Sequence, residues 1–374
     1  MTLSSATTKD TFTLVCQKIQ QETHDVKTYL FTQPKRDKTI GFNYYAGQYL
    51  NFTVNMAGTM QVCCYTLSST PTNSAYVSIT IKRIPQGKVS NYFHDHFKIG
   101  QSIHVKEIAG NFCIRDSIPP KILLISAGSG ITPMLSMLRF MTEIQCKNQI
   151  IFVHSAKQEI DLIAQAELND LAKRHGNCQI IYTLTQGANS QWYGFQGRLN
   201  EQMLSNIKQI NHYQTFVCGP KLFRLSTQAL LLKLGAEPSN FHEESFGEKE
   251  YSTDDSNDIK ESTSVLKAET EHQDINQQSL IPQNSKKKVS IYFSRWKKRY
   301  QGNQQDSLLD QGEAAGLILP HSCRGGSCGS CKAKLISGQV KQHSTDGLSE
   351  KEQRQGYILL CSCHALTDVE ISHE

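Results

Sequence analysis

The stretch HSCRGGSCGSC places Cys323, Cys328 and Cys331 at the spacing C-x4-C-x2-C. Thiolates set out this way, joined by one more distant cysteine, hold a [2Fe–2S] cluster. Gly325, Gly326 and Gly329 suit such a loop, which must wrap closely round sulfide and turn backbone N–H groups toward sulfur. Zinc usually takes two C-x2-C knuckles or histidine partners, and a thioredoxin-like C-x-x-C needs a βαβ setting; this block has only one C-x2-C and no βαβ setting. The fourth ligand falls in ILLCSC, at Cys361 or Cys363.

Something must carry this loop and feed it. A chain of 374 residues with 38% hydrophobic side chains is long enough for two or three domains with their own cores. The net charge of +5 is modest and no long basic stripe occurs, so nucleic acid is not an expected partner. The most apolar stretch, Ile122 to Phe140, is broken by Gly-Ser-Gly and Pro133, so no transmembrane segment is expected. The start, MTLSSATTKDTF, is polar and reads as no secretory signal. Twelve cysteines in that setting point to reduced thiols, metal or catalytic use and a cytoplasmic location. A monomer is expected.

Four segments follow from the patterning. Up to residue 117, short alternating runs such as Tyr49 to Val54, Val77 to Arg83 and Ser102 to Glu107 predict a small antiparallel β-barrel. From 118 to 247 the pattern becomes strand then helix, a multidomain chain's α/β unit with a parallel sheet. Its strands are KILLISA, IIFVHSA, QIIYTLT and TFVCG, and its helices run over Pro133 to Ile144, Asp161 to His175 and Pro220 to Leu234. Residues 248–287 are acidic and polar and read as a flexible linker. Residues 288–374 carry the cysteine loop. A basic run, Lys286 to Lys288 with Arg295 to Arg299, opens this last block.

A cluster passes single electrons, so its source should take two and release them one by one, as a flavin does. The string Cys63-Cys64-Tyr65-Thr66-Leu67-Ser68-Ser69 resembles the R-x-Y-[ST]-x-x-S flavin signature of the ferredoxin–NADP reductase superfamily. The resemblance implies that Tyr65 packs on the isoalloxazine and Thr66 contacts its N5, with Leu67 and Ser68 close by. The family arginine that pairs with flavin phosphate should stand at Cys63, and here it is cysteine. Lys82 and Arg83 stand near enough in the chain to replace that missing phosphate-pairing charge. Gly87-Lys88-Val89-Ser90, before a short helix over Asn91 to Phe97, resembles the family's phosphate-holding segment, which implies Gly87, Val89 and Ser90. Gly110-Asn111-Phe112 resembles part of its P-x-G-x-F turn.

Further strings follow in the family's order. Gly128-Ser129-Gly130-Ile131-Thr132-Pro133 resembles its G-x-G-I-T-P nucleotide loop, implying Gly128, Gly130, Thr132 and Pro133. Gly194 to Arg198 resembles its G-x-x-G-R segment. Cys218-Gly219-Pro220 resembles its C-G-P motif, which puts Cys218 near the nicotinamide carbon, and Phe246 stands where relatives place an aromatic over the flavin. In the last block, the resemblance to ferredoxins favours Cys361 over Cys363 and implies a β-grasp α+β fold.

The implied protein is a three-module iron–sulfur flavoprotein oxidoreductase. Hydride would pass from NADH or NADPH to flavin beside Thr66, Thr132 and Cys218. Single electrons would then pass through the cluster to a separate protein. That acceptor would be an oxygenase or fatty acyl desaturase, or alternatively hybrid cluster protein. FAD is preferred, FMN is the alternative, and NADH is preferred over NADPH. A rival class is a redox sensor or interaction protein without turnover.

Overall fold

The computed structural model describes residues 11–34, 42–115, 117–244, 246, 288–317, 319–320, 326, 329, 331–345 and 347–373. All of the acidic segment 248–287, together with Cys323, Cys328 and Gly325, lies outside the described residues.

The first unit is an antiparallel sheet of β1 (Phe12–Thr23), β2 (Val26–Thr32), β3 (Tyr49–Met56), β4 (Thr59–Thr66), β5 (Val77–Lys82) and β6 (Ser102–Ala109). Their order is β4-β3-β6-β1-β2-β5. A bridge between Leu67 and Ile79 brings the two outer strands together, which curls the sheet toward a barrel. Alternate residues point inward, as the two-residue repeat of a strand requires. Leu14, Tyr29, Phe31, Leu50, Phe52, Ile79, Ile81, Ile103 and Val105 form the core. Helix α1 (Lys88–Asp95) adds Phe93 to it. The Tyr29 hydroxyl donates to the Phe93 carbonyl at 2.6 Å, satisfying two buried polar groups.

The second unit alternates strand and helix: β7 (Lys121–Ala127), α2 (Ile131–Glu143), β8 (Gln149–Ala156), α3 (Gln165–Arg174), β9 (Cys178–Leu184), β10 (Phe195–Gln196), β11 (Gln214–Cys218), α4 (Lys221–Lys233) and β12 (Phe241–Glu244). All pairs are parallel, in the order β10-β9-β8-β7-β11-β12. Strand β7 is apolar on both faces because both are covered. Ile122 and Leu124 face α2, whereas Leu123 and Ile125 face Leu204, Ile207 and Leu231.

These two units share a core. Val26, Ala46, Phe112 and Ile114 of the first pack with Met134, Met137, Leu138 and Met141 of α2. Ser136 ties them further. Its hydroxyl donates to the Ser69 carbonyl at 2.7 Å and accepts from the Gly47 N–H at 3.3 Å.

The third unit has β13 (Lys288–Phe293), β14 (Lys298–Asn303), β15 (Lys332–Ser337), β16 (Val340–Gln342), β17 (Tyr357–Leu359), β18 (Cys363–Ala365) and β19 (Val369–Ser372). Its main sheet runs β14-β13-β19-β15-β17, with β16 and β18 forming a separate pair. The helix Leu308–Ala314 buries Leu308 and Leu309 against Ile291, Phe293, Leu359 and Ile371. No described helix is long and apolar enough to cross a membrane.

Candidate active site and cluster site

The glycine loop expected to take the nucleotide forms where β7 ends. Gly128 takes φ +53, and Gly128–Gly130 make one 3-10 turn before α2. Gly130 lies directly against the end of β11: a Cβ there would meet the Cys218 carbonyl oxygen at 2.3 Å and the Gly219 nitrogen at 2.8 Å. Gly219 is equally tight, with Phe223 at 2.8 Å from a built Cβ. Ser126 and Cys218 are register partners on adjacent parallel strands. Two glycine-bearing loops therefore meet at the C-terminal edge of the sheet, where open α/β sheets bind ligands. Thr132 is buried, and its hydroxyl donates to the Ser129 carbonyl at 3.3 Å, which braces the turn. Pro133 is buried in the first turn of α2, and Pro220 precedes α4.

The first unit comes to the same place. Strand β5 packs on the Gly128–Gly130 turn, and Leu67 bridges β5 at Ile79. Thr66 is buried at the end of β4. Tyr65 is half-buried, its ring 6.1 Å from Phe93 and 6.2 Å from Phe52. Ser68 is wholly buried and faces inward. Its hydroxyl lies 3.0 Å from Ser78 Oγ and accepts from Thr80 at 2.9 Å.

The segment Gly87–Ser90 departs from the expected geometry. The helix starts at Lys88, three residues before the predicted Asn91, with Gly87 as its cap. Ser90 is thereby inside the first turn. Its hydroxyl accepts from the Ile84 N–H at 3.1 Å, closing the preceding loop. Val89 packs on the barrel core.

Cys63 is 2% exposed, and its thiol donates to the Gln61 carbonyl. Burial pushes that thiol up to about 12, so it is neutral and supplies none of the charge an arginine would. Lys82 and Arg83 are already engaged. Lys82 pairs with Asp25 at 3.1 Å, and Arg83 grips Asp95 through both terminal nitrogens, at 2.5 and 3.0 Å.

Glu244, a residue the motifs did not reveal, is the register partner of Cys218 across β11 and β12. Its Oε2 is shut off from solvent and has no hydrogen-bond partner among the described residues. Burial pushes the carboxyl up to about 8. Burial, and then the nearby Glu244, raise the Cys218 thiol well above its ordinary value. Cys113 is raised too, by burial first, with Arg115 opposing and Glu244 adding. The carboxyl thus lies between a strand end of the second unit and the last segment of the first. Only the register of β12 places it there, and no local pattern announces it. Phe246 is 40% exposed.

His154 lies on β8, inside the parallel sheet. It is wholly buried, its Nδ1 2.8 Å from Ser126 Oγ, and burial lowers its pKa to about 3. Ser155 is buried as well, and the residues from Lys157 to Ile160, which follow β8, are exposed.

Cys331 and Cys361, two of the thiols expected to hold the cluster, sit at strand ends. β15 begins directly after Cys331, and β17 ends at Leu359, before the 3-10 turn Leu360–Ser362. Lys332 pairs with Leu359, and the Leu360 N–H donates to the Cys331 carbonyl at 3.2 Å. The two sulfurs lie 3.2 Å apart. Soft sulfur donors brought this close suit an iron–sulfur centre. Cys363 is fully buried in the core and directs its sulfur to Gln342 instead. Cys323 and Cys328 lie outside the described residues.

Comparison with known proteins agrees with this geometry. Residues 13–114 match the oxidoreductase FAD-binding domain, 124–228 the oxidoreductase NAD-binding domain and 295–366 the 2Fe-2S iron-sulfur cluster binding domain. Fold and site together define an NAD(P)H-dependent iron–sulfur flavoprotein oxidoreductase with FAD and a [2Fe–2S] cluster. The chain is 31% identical over 360 residues to the glycine betaine monooxygenase reductase subunit of Pseudomonas aeruginosa, covering 96% of this chain and 94% of that one. It is 27% identical to the NADH oxidoreductase HCR of Escherichia coli, covering 95% of each. The solved phthalate dioxygenase reductase superimposes with a TM-score of 0.57 at 19% identity, covering 97% of both chains. The chain belongs to the three-module reductase family that includes the reductase components of oxygenases.

Proposed function

We propose that this chain supplies electrons to a separate oxygenase. The observation that carries the reading is the meeting of the Gly128–Gly130 turn, Cys218 and β5 at one sheet edge, in a chain that also holds two cluster thiols. Bound flavin takes an electron pair as hydride and yields single electrons, which the cluster conducts onward. The protein's part is alignment. Gly130 and Gly219 let the dinucleotide backbone come close, Thr132 braces the loop, and Tyr65 and Thr66 present the flavin side. Burial favours the uncharged forms of Cys218 and Glu244 at this sheet edge.

The site residues comprise those named above, with Cys323, Cys328, Cys331 and Cys361 as ligands. The segments 1–117, 118–247, 248–287 and 288–374 act as flavin module, nucleotide module, linker and cluster module. NADH is the preferred donor, and the protein works as a cytoplasmic monomer. A second reading, delivery to hybrid cluster protein, is favoured by the 27% identity to the HCR reductase. Anaerobic spectra before and after NADH test the scheme. The wild type should bleach at both flavin and cluster bands. Cys331→Ser should lose the cluster band and cytochrome c reduction while keeping NADH-driven flavin bleaching. Loss of all three would refute the division of labour.

A further inference from the structure

The end of the third sheet that leads into Cys331 also carries a group of cations. β15 starts beside Cys331, and β17 ends beside the turn that holds Cys361. β19 runs antiparallel to β15, with Lys334 opposite Ser372. β13 runs parallel to β19, with Phe293 opposite Ile371. The hairpin from Phe293 to Lys298 therefore turns at the same end as both thiols. β14 and β15 are separated by β13 and β19, a span of roughly 14 Å at the usual strand spacing. One protein interface easily covers that.

The hairpin exposes Arg295, Lys297, Lys298 and Arg299. The ion pairs of this unit among the described residues, Lys332–Glu352 and Arg354–Glu350, use none of them. Arg295 instead lies 5.7 Å from the Trp296 ring centre, and Arg299 5.0 Å from that of Tyr292. Stacking holds a guanidinium in place without neutralising it. Charge on an edge strand commonly serves only to block pairing. Here it is confined to one half, because Gln301, Gly302 and Asn303 finish β14 without charge. The first two units are no complement: residues 1–247 hold 23 Lys/Arg against 16 Asp/Glu, a net +7.

We propose that this hairpin is the docking site for the electron acceptor, a redox protein with a carboxylate-rich rim round its accepting centre. The proposal rests on the electron-delivery reading above. Opposite charge round two redox centres speeds their encounter and makes it sensitive to salt. In each encounter the cluster would give up one electron and the acceptor's centre would gain it.

The test uses the full chain with two haem probes of opposite charge, acidic cytochrome b5 and basic cytochrome c. The residual rate of Cys331→Ser, which should lack the cluster, is subtracted as background. Arg295→Glu/Lys298→Glu should cut cluster-dependent cytochrome b5 reduction about tenfold at low salt. It should also weaken calorimetric binding of oxidised cytochrome b5, and speed cytochrome c reduction. Lys298→Glu alone, at a side chain with no ion pair among the described residues, should move each value the same way by a smaller factor. NADH-driven bleaching of flavin and cluster should stay unchanged in both variants. Intact cluster bleaching with acceptor rates and binding unmoved would overturn the docking site alone. Slowed cluster bleaching in the variants would also overturn it, because the hairpin would then face the flavin module. A wild-type cluster that NADH does not reduce would overturn the electron-delivery reading, and the docking site with it.

Discussion

Gly130 and Cys218 touch through backbone: a single carbon added to the glycine would sit 2.3 Å from the cysteine's carbonyl oxygen. The β7 and β11 loops are thus held at a separation that only hydrogen at Cα permits. Gly130→Ala must push them apart. It should cost about 1–3 kcal/mol of stability and slow NADH-driven flavin reduction by about tenfold or more. Stopped-flow reduction and thermal melts read the two effects, and an unchanged hydride rate would show that the loops tolerate the shift.

Glu244 should make stability fall as pH rises. Its carboxyl has an ordinary value of 4.5 and is raised by burial to about 8. The folded chain therefore keeps this proton where the unfolded chain has lost it. Its stabilising contribution is complete below pH 4.5 and drains away up to about pH 8, at no more than about 1.4 kcal/mol per pH unit. Glu244→Gln should flatten that window. Denaturant melts across it decide, and parallel curves for both proteins would place the titration elsewhere.

Ser136→Ala removes both bonds that tie α2 to the first unit. The Ser69 carbonyl and the Gly47 N–H would lose a buried partner, at about 1–3 kcal/mol. Ser136→Thr, which keeps the hydroxyl, separates the hydrogen bonds from the packing around them. If Ala and wild type melt together, water has replaced the serine.

Cys63→Arg puts a guanidinium where only 2% of the residue is exposed. Without flavin it has no counter-charge and should lower the melting temperature. Added FAD should then raise that temperature more steeply than in the wild type, since a ligand that pairs the charge stabilises by mass action. Equal FAD-dependent shifts would show that the phosphate lies away from residue 63.

The strands that bear motifs were readable because their residues are locally consistent. KILLISA reads as a strand buried on both faces and is one, and the glycines that follow it predict a tight loop. Helix limits moved by two to four residues where capping decided them. Ser90 looks like a cap by type, yet its hydroxyl turns back to Ile84 and Gly87 takes the cap. Likewise the helix expected from Asp161 starts at Gln165, because Glu159–Asp161 form a 3-10 turn closed by a Gln158–Asp161 capping box. Glu244 and Ser136 went unread for another reason. Each owes its role to a neighbour distant in the chain, and single-residue type carries no trace of strand register.

The core that Ala46, Phe112 and Ile114 share with Met134, Met137 and Leu138 determines where the gene can be cut. A break near residue 118 would bare that apolar surface on both fragments, so neither half travels alone. The third unit keeps a core of its own residues. Recombination can therefore exchange the cluster-bearing end against a fixed reductase body, and the natural unit of shuffling is two parts where the eye counts three.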